Sequence, residues 1–143
     1  LKERYAKNPD IDIQTDFSSN STVFEADLLV TDWSGIAYEY AFTTKKPVLF
    51  VDTPMKVMNP EYQKIDTVPI NIWMRVIGDR LDPAKTEETE SKVRNLLEQK
   101  DAYHDRIEKF VEEYVYNLGN SAEVGAKYIV QAVQEQIKKA KEQ

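Results

Sequence analysis

Two short apolar runs mark the first half of the chain. Leu28-Leu29-Val30 follows Asp27, and Val48-Leu49-Phe50-Val51 follows Lys45-Lys46-Pro47. Unbroken apolar residues over three or four positions are the pattern of a strand covered on both faces in a parallel sheet. Between the two runs, Gly35 to Thr43 reads as a helix, so the segment predicts a βαβ unit with adjacent parallel strands. Upstream, Leu1 to about Lys7 reads as the tail of a helix stopped by Asn8-Pro9. Ile11-Asp12-Ile13-Gln14 alternates apolar and polar and predicts a brief strand. Ser18-Ser19-Asn20-Ser21-Thr22 reads as a turn rich in capping residues, followed by a short helical turn over Val23-Phe24-Glu25-Ala26.

The pattern then loosens. Pro54, Pro60, Pro69 and Pro83 punctuate residues 53–83, a long excursion with one short helix or strand around Ile70–Ile77. From Ala84 the chain turns charged and helical. One helix is predicted over Thr86 to about Lys100 and another over about Ala102 to Asn117, with Gly119 as its terminator. Asn120 with Glu123 three residues on makes a capping-box-like start for a last helix to about Ala140. Val93, Leu96, Leu97, Ile107, Phe110, Val111 and Tyr114 recur at helical spacing and read as core. Val124, Tyr128, Ile129, Ala132 and Ile137 repeat that spacing on the last helix. The expectation is a single α/β domain over 1–143, with an α/β part (1–83) and a helical part (84–143). Two strong strands and one weak one make a thin sheet, so the domain is expected to be a fragment of a longer two-domain protein.

Composition narrows the classes. The 143 residues carry a net charge of −6, with 25 acidic against 19 basic side chains. That balance lacks the clustered Lys/Arg that neutralise phosphates along a strand, and it argues against nucleic-acid binding. Cysteine is absent, which removes disulfides, thiolate metal sites and a cysteine nucleophile, and fits a reducing compartment. No apolar run approaches the length that spans a bilayer. The opening LKERYAKNPD has neither the apolar stretch nor the small-residue cleavage site of a secretory signal.

The candidate chemistry lies where the first strand becomes the helix, in Thr31-Asp32-Trp33-Ser34-Gly35. Ligands of open α/β sheets sit beyond the carboxyl ends of strands, where unpaired N–H groups and the positive end of a helix dipole can receive phosphate. Gly35 would let an oxygen approach the backbone closely, and the Thr31 and Ser34 hydroxyls would add donors. A plain capped βα connection reads the same residues without any ligand. Glu39, about one and a half turns on, has the reach to accept two hydrogen bonds from a ribose diol, although a solvated helix glutamate is the commoner use. Asp32 reads as a capping residue, and Trp33 as a packing residue rather than a base-stacking platform. His104, the single histidine, falls among Tyr103, Asp105 and Arg106 on a charged helix and reads as a surface residue.

These residues carry a resemblance. Ala26-Asp27-Leu28-Leu29-Val30-Thr31-Asp32-Trp33-Ser34-Gly35, an acid at Glu39, and then Lys46-Pro47-Val48-Leu49-Phe50-Val51-Asp52 resemble the CDP-glycerol glycerophosphotransferase family, which primes and polymerises teichoic acids and related polymers. Asn59-Pro60-Glu61-Tyr62 and Gly119-Asn120-Ser121 resemble later segments of the same family. Gly35 stands where many members have a second serine, and Trp33 where many have tyrosine. A looser form of the Ser-Gly turn occurs in UDP-N-acetylglucosamine 2-epimerases and other GT-B enzymes.

The resemblance implies a Rossmann-like parallel sheet flanked by helices, forming the C-terminal, nucleotide-binding half of a GT-B fold with a helical C-terminal region. It implies that Ser34 and Gly35, with Thr31, hold the diphosphate of CDP-glycerol or a related CDP-alcohol. Glu39 would hold the ribose, and Asn120 and Ser121 would contribute further contacts. It implies no metal and no other cofactor. The catalytic histidines are expected upstream of Leu1, in a missing N-terminal half that would be the chain's partner, leaving this part inactive alone. The implied setting is cytoplasmic, on the inner face of a bacterial membrane, with membrane contact through the full-length enzyme or its lipid-linked acceptor. Exposed apolar helix faces would permit a homo-oligomer. The competing readings are a nucleotide-sugar glycosyltransferase or 2-epimerase of the same fold, and a non-catalytic α/β interaction domain.

Overall fold

The computed structural model describes residues 1–16, 21–55 and 59–142. Three strands, β1 (Leu29–Thr31), β2 (Val48–Val51) and β3 (Gly78–Leu81), form a parallel sheet in the order β1-β2-β3. The register pairs Val30 with Leu49 and Thr31 with Phe50 on one side of β2, and Leu49 with Asp79 and Phe50 with Arg80 on the other. The βαβ unit predicted from the apolar runs is therefore present, with α3 (Ile36–Thr44) as the crossover helix. Lys45 ends that helix in the left-handed region (φ 58°) and returns its N–H to the Ala41 carbonyl, so the chain turns sharply into Pro47 and β2.

The strand expectations need three corrections. Ile11–Gln14 forms no strand, because local alternation has no effect without a neighbouring edge to bond. The third strand is β3, whose Gly-Asp-Arg-Leu sequence shows no apolar run. It docks because β2 offers a free edge, and Lys92 of α5 (Thr89–Glu98) grips the Asp79 carboxylate at 2.9 Å. Lastly, β1 runs one residue later than the apolar run and is not covered on both faces. It is an edge strand, and Val30 is 50% exposed. Only β2 has the buried character expected of both, with Val48, Leu49 and Phe50 at 1% exposure or less.

Among the remaining elements, α1 (Lys2–Tyr5) and α2 (Ser21–Glu25) are short. Residues 17–20, where most of the predicted serine-rich turn falls, lie outside the described residues. The proline-punctuated stretch contains a 3₁₀ turn (Tyr62–Lys64), then α4 (Ile70–Trp73) running into a second 3₁₀ turn (Met74–Ile77). A third 3₁₀ turn (Thr86–Glu88) leads into α5, and α6 (Lys100–Tyr114) follows after a break at Gln99. Gly119 does not terminate α6, which ends earlier at an extended Val115; with φ 83°, Gly119 instead serves the turn before α7 (Ser121–Lys141).

Burial drives the assembly. Ala37, Tyr40 and Ala41 on α3, the β2 residues, Ile77, Leu96, Ile107, Phe110 and Val111 form one core, and each large aliphatic buried there contributes about 1.5–3 kcal/mol. Phe42, Trp73, Phe110 and Tyr114 meet as rings at centroid distances of 4.8–5.9 Å, which pins α6 over α3 and α4. Of the residues read as core, Leu97 and Tyr114 are exposed at the margins of their helices, and on α7 Val124, Tyr128, Ile129 and Ile137 are exposed as well. The capping box at α7 is also absent: Asn120 makes no side-chain cap, and Glu123 pairs with Lys127 at 2.6 Å instead.

Candidate functional site

The turn from β1 into α3 lies beyond the carboxyl end of its strand, beside the segments that leave β2. Thr31 closes β1 and is half-buried; Ser34 and Gly35 are exposed. Within the turn, Ala37 N–H reaches the Ser34 carbonyl (3.3 Å) and Tyr38 N–H reaches that of Gly35 (3.0 Å). The N–H groups of Gly35 and Ile36 have no acceptor among the described residues, and neither the Thr31 nor the Ser34 hydroxyl is engaged. No side chain caps the helix. Asp32, read as a cap, is exposed and does not perform that role. The first turn of α3 thus presents its free donors and the positive end of its dipole outward.

Gly35 is required neither by backbone strain nor by crowding. Its φ is −62°, which any residue adopts, and a Cβ built there meets no atom within 4 Å. The space beside its backbone is open. Glu39 is exposed on the same helix, one turn from Gly35, and makes no ion pair among the described residues. The chain segment thus brings Thr31, Ser34, Gly35 and Glu39 together at one helix start. Asn120 and Ser121 are not coupled to them by anything in the fold: both are exposed, and α7 buries no side chain and packs extensively on no other element. His104 is half-exposed on α6, with Nδ1 3.5 Å from Asp105.

Behind the turn is a cluster that sequence reasoning missed. Trp33 packs, as expected, donating from Nε1 to the Thr53 carbonyl at 2.7 Å and so tying the exit of β1 to the exit of β2. Over its ring, 3.7 Å from the centroid, lies the guanidinium of Arg75, which also lies over Phe50 at 4.8 Å. Arg75 is buried and pairs with Asp52, which also accepts from Arg80 Nε at 2.8 Å. Burial raises the Tyr38 phenol above its ordinary pKa, and the nearby Arg75 charge partly offsets that rise. The available signal was a lone arginine within the apolar run Ile70–Ile77, together with Asp52 closing the second apolar run.

A groove of about 420 Å³ along α5 is lined by Glu90, Val93, Arg94, Leu97 and Glu98, and its two carboxylates disfavour phosphate. Among the described residues no group of three or more His, Asp or Glu side chains is arranged to hold a metal, and no helix is long and apolar enough to cross a membrane.

Comparison with known proteins supports the sequence resemblance. No curated protein and no solved structure matches the chain. Residues 2–133 match the family model described as CDP-glycerol:poly(glycerophosphate) glycerophosphotransferase. With the match running from α1 into α7 and including the whole parallel sheet, the chain belongs to the CDP-glycerol:poly(glycerophosphate) glycerophosphotransferase family.

Proposed function

We propose that this chain is the donor-nucleotide-binding half of a GT-B-type CDP-alcohol phosphotransferase acting in teichoic-acid-like or capsular polymer synthesis. The observation that carries the reading is the open turn before α3, where the Gly35 and Ile36 N–H groups have no acceptor among the described residues, in a chain of this family. In the reaction, an acceptor hydroxyl attacks the β-phosphorus of CDP-glycerol or CDP-ribitol. The phosphoanhydride bond breaks, polyol phosphate is transferred, and CMP leaves. The Gly35 and Ile36 N–H groups, with the Thr31 and Ser34 hydroxyls, would stabilise charge on the diphosphate as the leaving phosphate forms. Glu39 would accept from the ribose hydroxyls.

The general base comes from outside this chain in this reading. A base needs hydrogen-bond reach of the attacking hydroxyl, and His104 stands half-exposed on α6 beside Asp105. Nucleotide binding and transfer therefore separate: the chain binds CDP while CMP release from CDP-glycerol stays at background.

Titration of the chain with CDP, CMP and UDP, read by calorimetry and by backbone amide shifts, tests the assignment. CDP is expected to shift the amides of residues 33–36. Gly35→Val, whose side chain enters open space, is expected to abolish binding without unfolding the chain. Tighter binding of UDP than CDP would transfer the reading to a nucleotide-sugar enzyme. Shifts confined to other surfaces, or no binding, would leave a non-catalytic interaction domain.

A further inference from the structure

Arg75 is the buried charged side chain of the described residues, and only part of its hydrogen-bonding capacity is used. Nη1 donates to Asp52, whereas Nε and Nη2 are shielded from water and have no partner among the described residues. Those two nitrogens share one edge of the planar guanidinium, and that edge is the fork that receives two oxygens of one phosphate or carboxylate. Buried donors left unpaired are unfavourable, and most are found to be satisfied. One carboxylate, Asp52, serves both Arg75 and Arg80, so Arg75 has no carboxylate of its own. The guanidinium lies directly over the ring of Trp33, within the turn that carries the free Gly35 and Ile36 N–H groups.

We propose that Arg75 is a further anion-binding residue of this site, its free Nε/Nη2 edge taking two oxygens of a diphosphate seated on the Trp33–Gly35 turn. The proposal rests on reading that turn as a diphosphate seat. Because both nitrogens are covered, the anion reaches them through a local rearrangement around Arg75, and the Trp33 ring stacked on the guanidinium face reports it. Arg75 then links recognition to geometry, since the side chain that takes the anion also holds the exits of β1 and β2 together through Trp33 and Asp52.

The test uses inorganic pyrophosphate at constant ionic strength. In a Trp73→Phe chain, Trp33 is the remaining tryptophan, and its fluorescence is expected to change saturably. Adding Arg75→Lys keeps the charge but removes the fork, and it is expected to weaken binding by roughly tenfold or more. In the isotope-labelled, unmutated chain, the Arg75 Nε–H resonance is expected to move downfield on binding. If pyrophosphate shifts the amides of residues 33–36 while Arg75→Lys binds equally well and the Nε–H resonance stays in place, the proposal is overturned and the turn reading survives. If those amides do not shift either, both fail. Should Arg75→Lys not fold, the Nε–H resonance of the unmutated chain decides alone.

Discussion

Tyr40 places its hydroxyl 2.9 Å from the Ala26 carbonyl, which also receives Lys46 Nζ at 2.8 Å, so one backbone oxygen ahead of β1 anchors the middle of α3 and the segment that follows the helix. Burial pushes the phenol's pKa up to about 12; the hydrogen bond with Thr44 works against the shift and the Asp27 charge adds to it. The folded chain therefore keeps this proton at pH values where an unfolded tyrosine, titrating near 10, has released it. Tyr40's contribution is fully present below pH 10 and declines as pH rises from there toward 12, by about 3 kcal/mol in all. Urea unfolding at stepped pH between 8 and 11 should show this loss. Tyr40→Phe should flatten the slope while costing about 1 kcal/mol near neutrality for the lost hydrogen bond. Tyr38 and Tyr114 are raised too, so a smaller slope remains. At this scale legibility was uneven. Ser34 and Gly35 could be placed at a strand-to-helix turn because they lie between an apolar run and a helical pattern in contiguous sequence. Arg75 did not, because its meaning depends on Asp52, 23 residues away, and on a ring that only the fold brings beneath it.

Among the elements, β2 was fully legible and β3 was not. A central strand buried on both faces writes its position as Val-Leu-Phe-Val. An edge strand needs only backbone bonds and one apolar anchor, here Leu81, so Gly78-Asp79-Arg80 carried no pattern. Gly78 has a structural use that can be tested. A Cβ at that position would sit 1.8 Å from the Val48 carbonyl oxygen, a backbone atom that cannot move without disturbing the pairing of β2 with β3. Gly78→Ala should destabilise the chain by about 2–3 kcal/mol, read as a lower urea midpoint with unchanged slope. Gly35→Ala, in open space, should stay within about 0.5 kcal/mol of the parent.

For the molecule as a whole, α7 stands apart. Ile129, Val133 and Ile137 recur at i, i+4 and i+8 and are each 51–63% exposed, and the helix buries no side chain. Deleting residues 121–143 should therefore leave the unfolding of the sheet and α3–α6 unchanged within about 1 kcal/mol, measured by near-UV dichroism from the aromatic cluster around Trp73. The same helix illustrates the limit of periodicity: apolar spacing marks a face that can be buried, and does not say whether this chain buries it. By itself the sequence determined the βαβ unit, the position of the Thr31–Gly35 turn and the family, because each is written in contiguous residues whose local patterning has one good solution. Tertiary structure alone decided that β3 completes the sheet, that α7 stays unpacked, and that Arg75, Asp52 and Trp33 meet behind the turn. Those outcomes depend on free edges, on competition for burial and on charges distant in sequence, and no local pattern of residues encodes them.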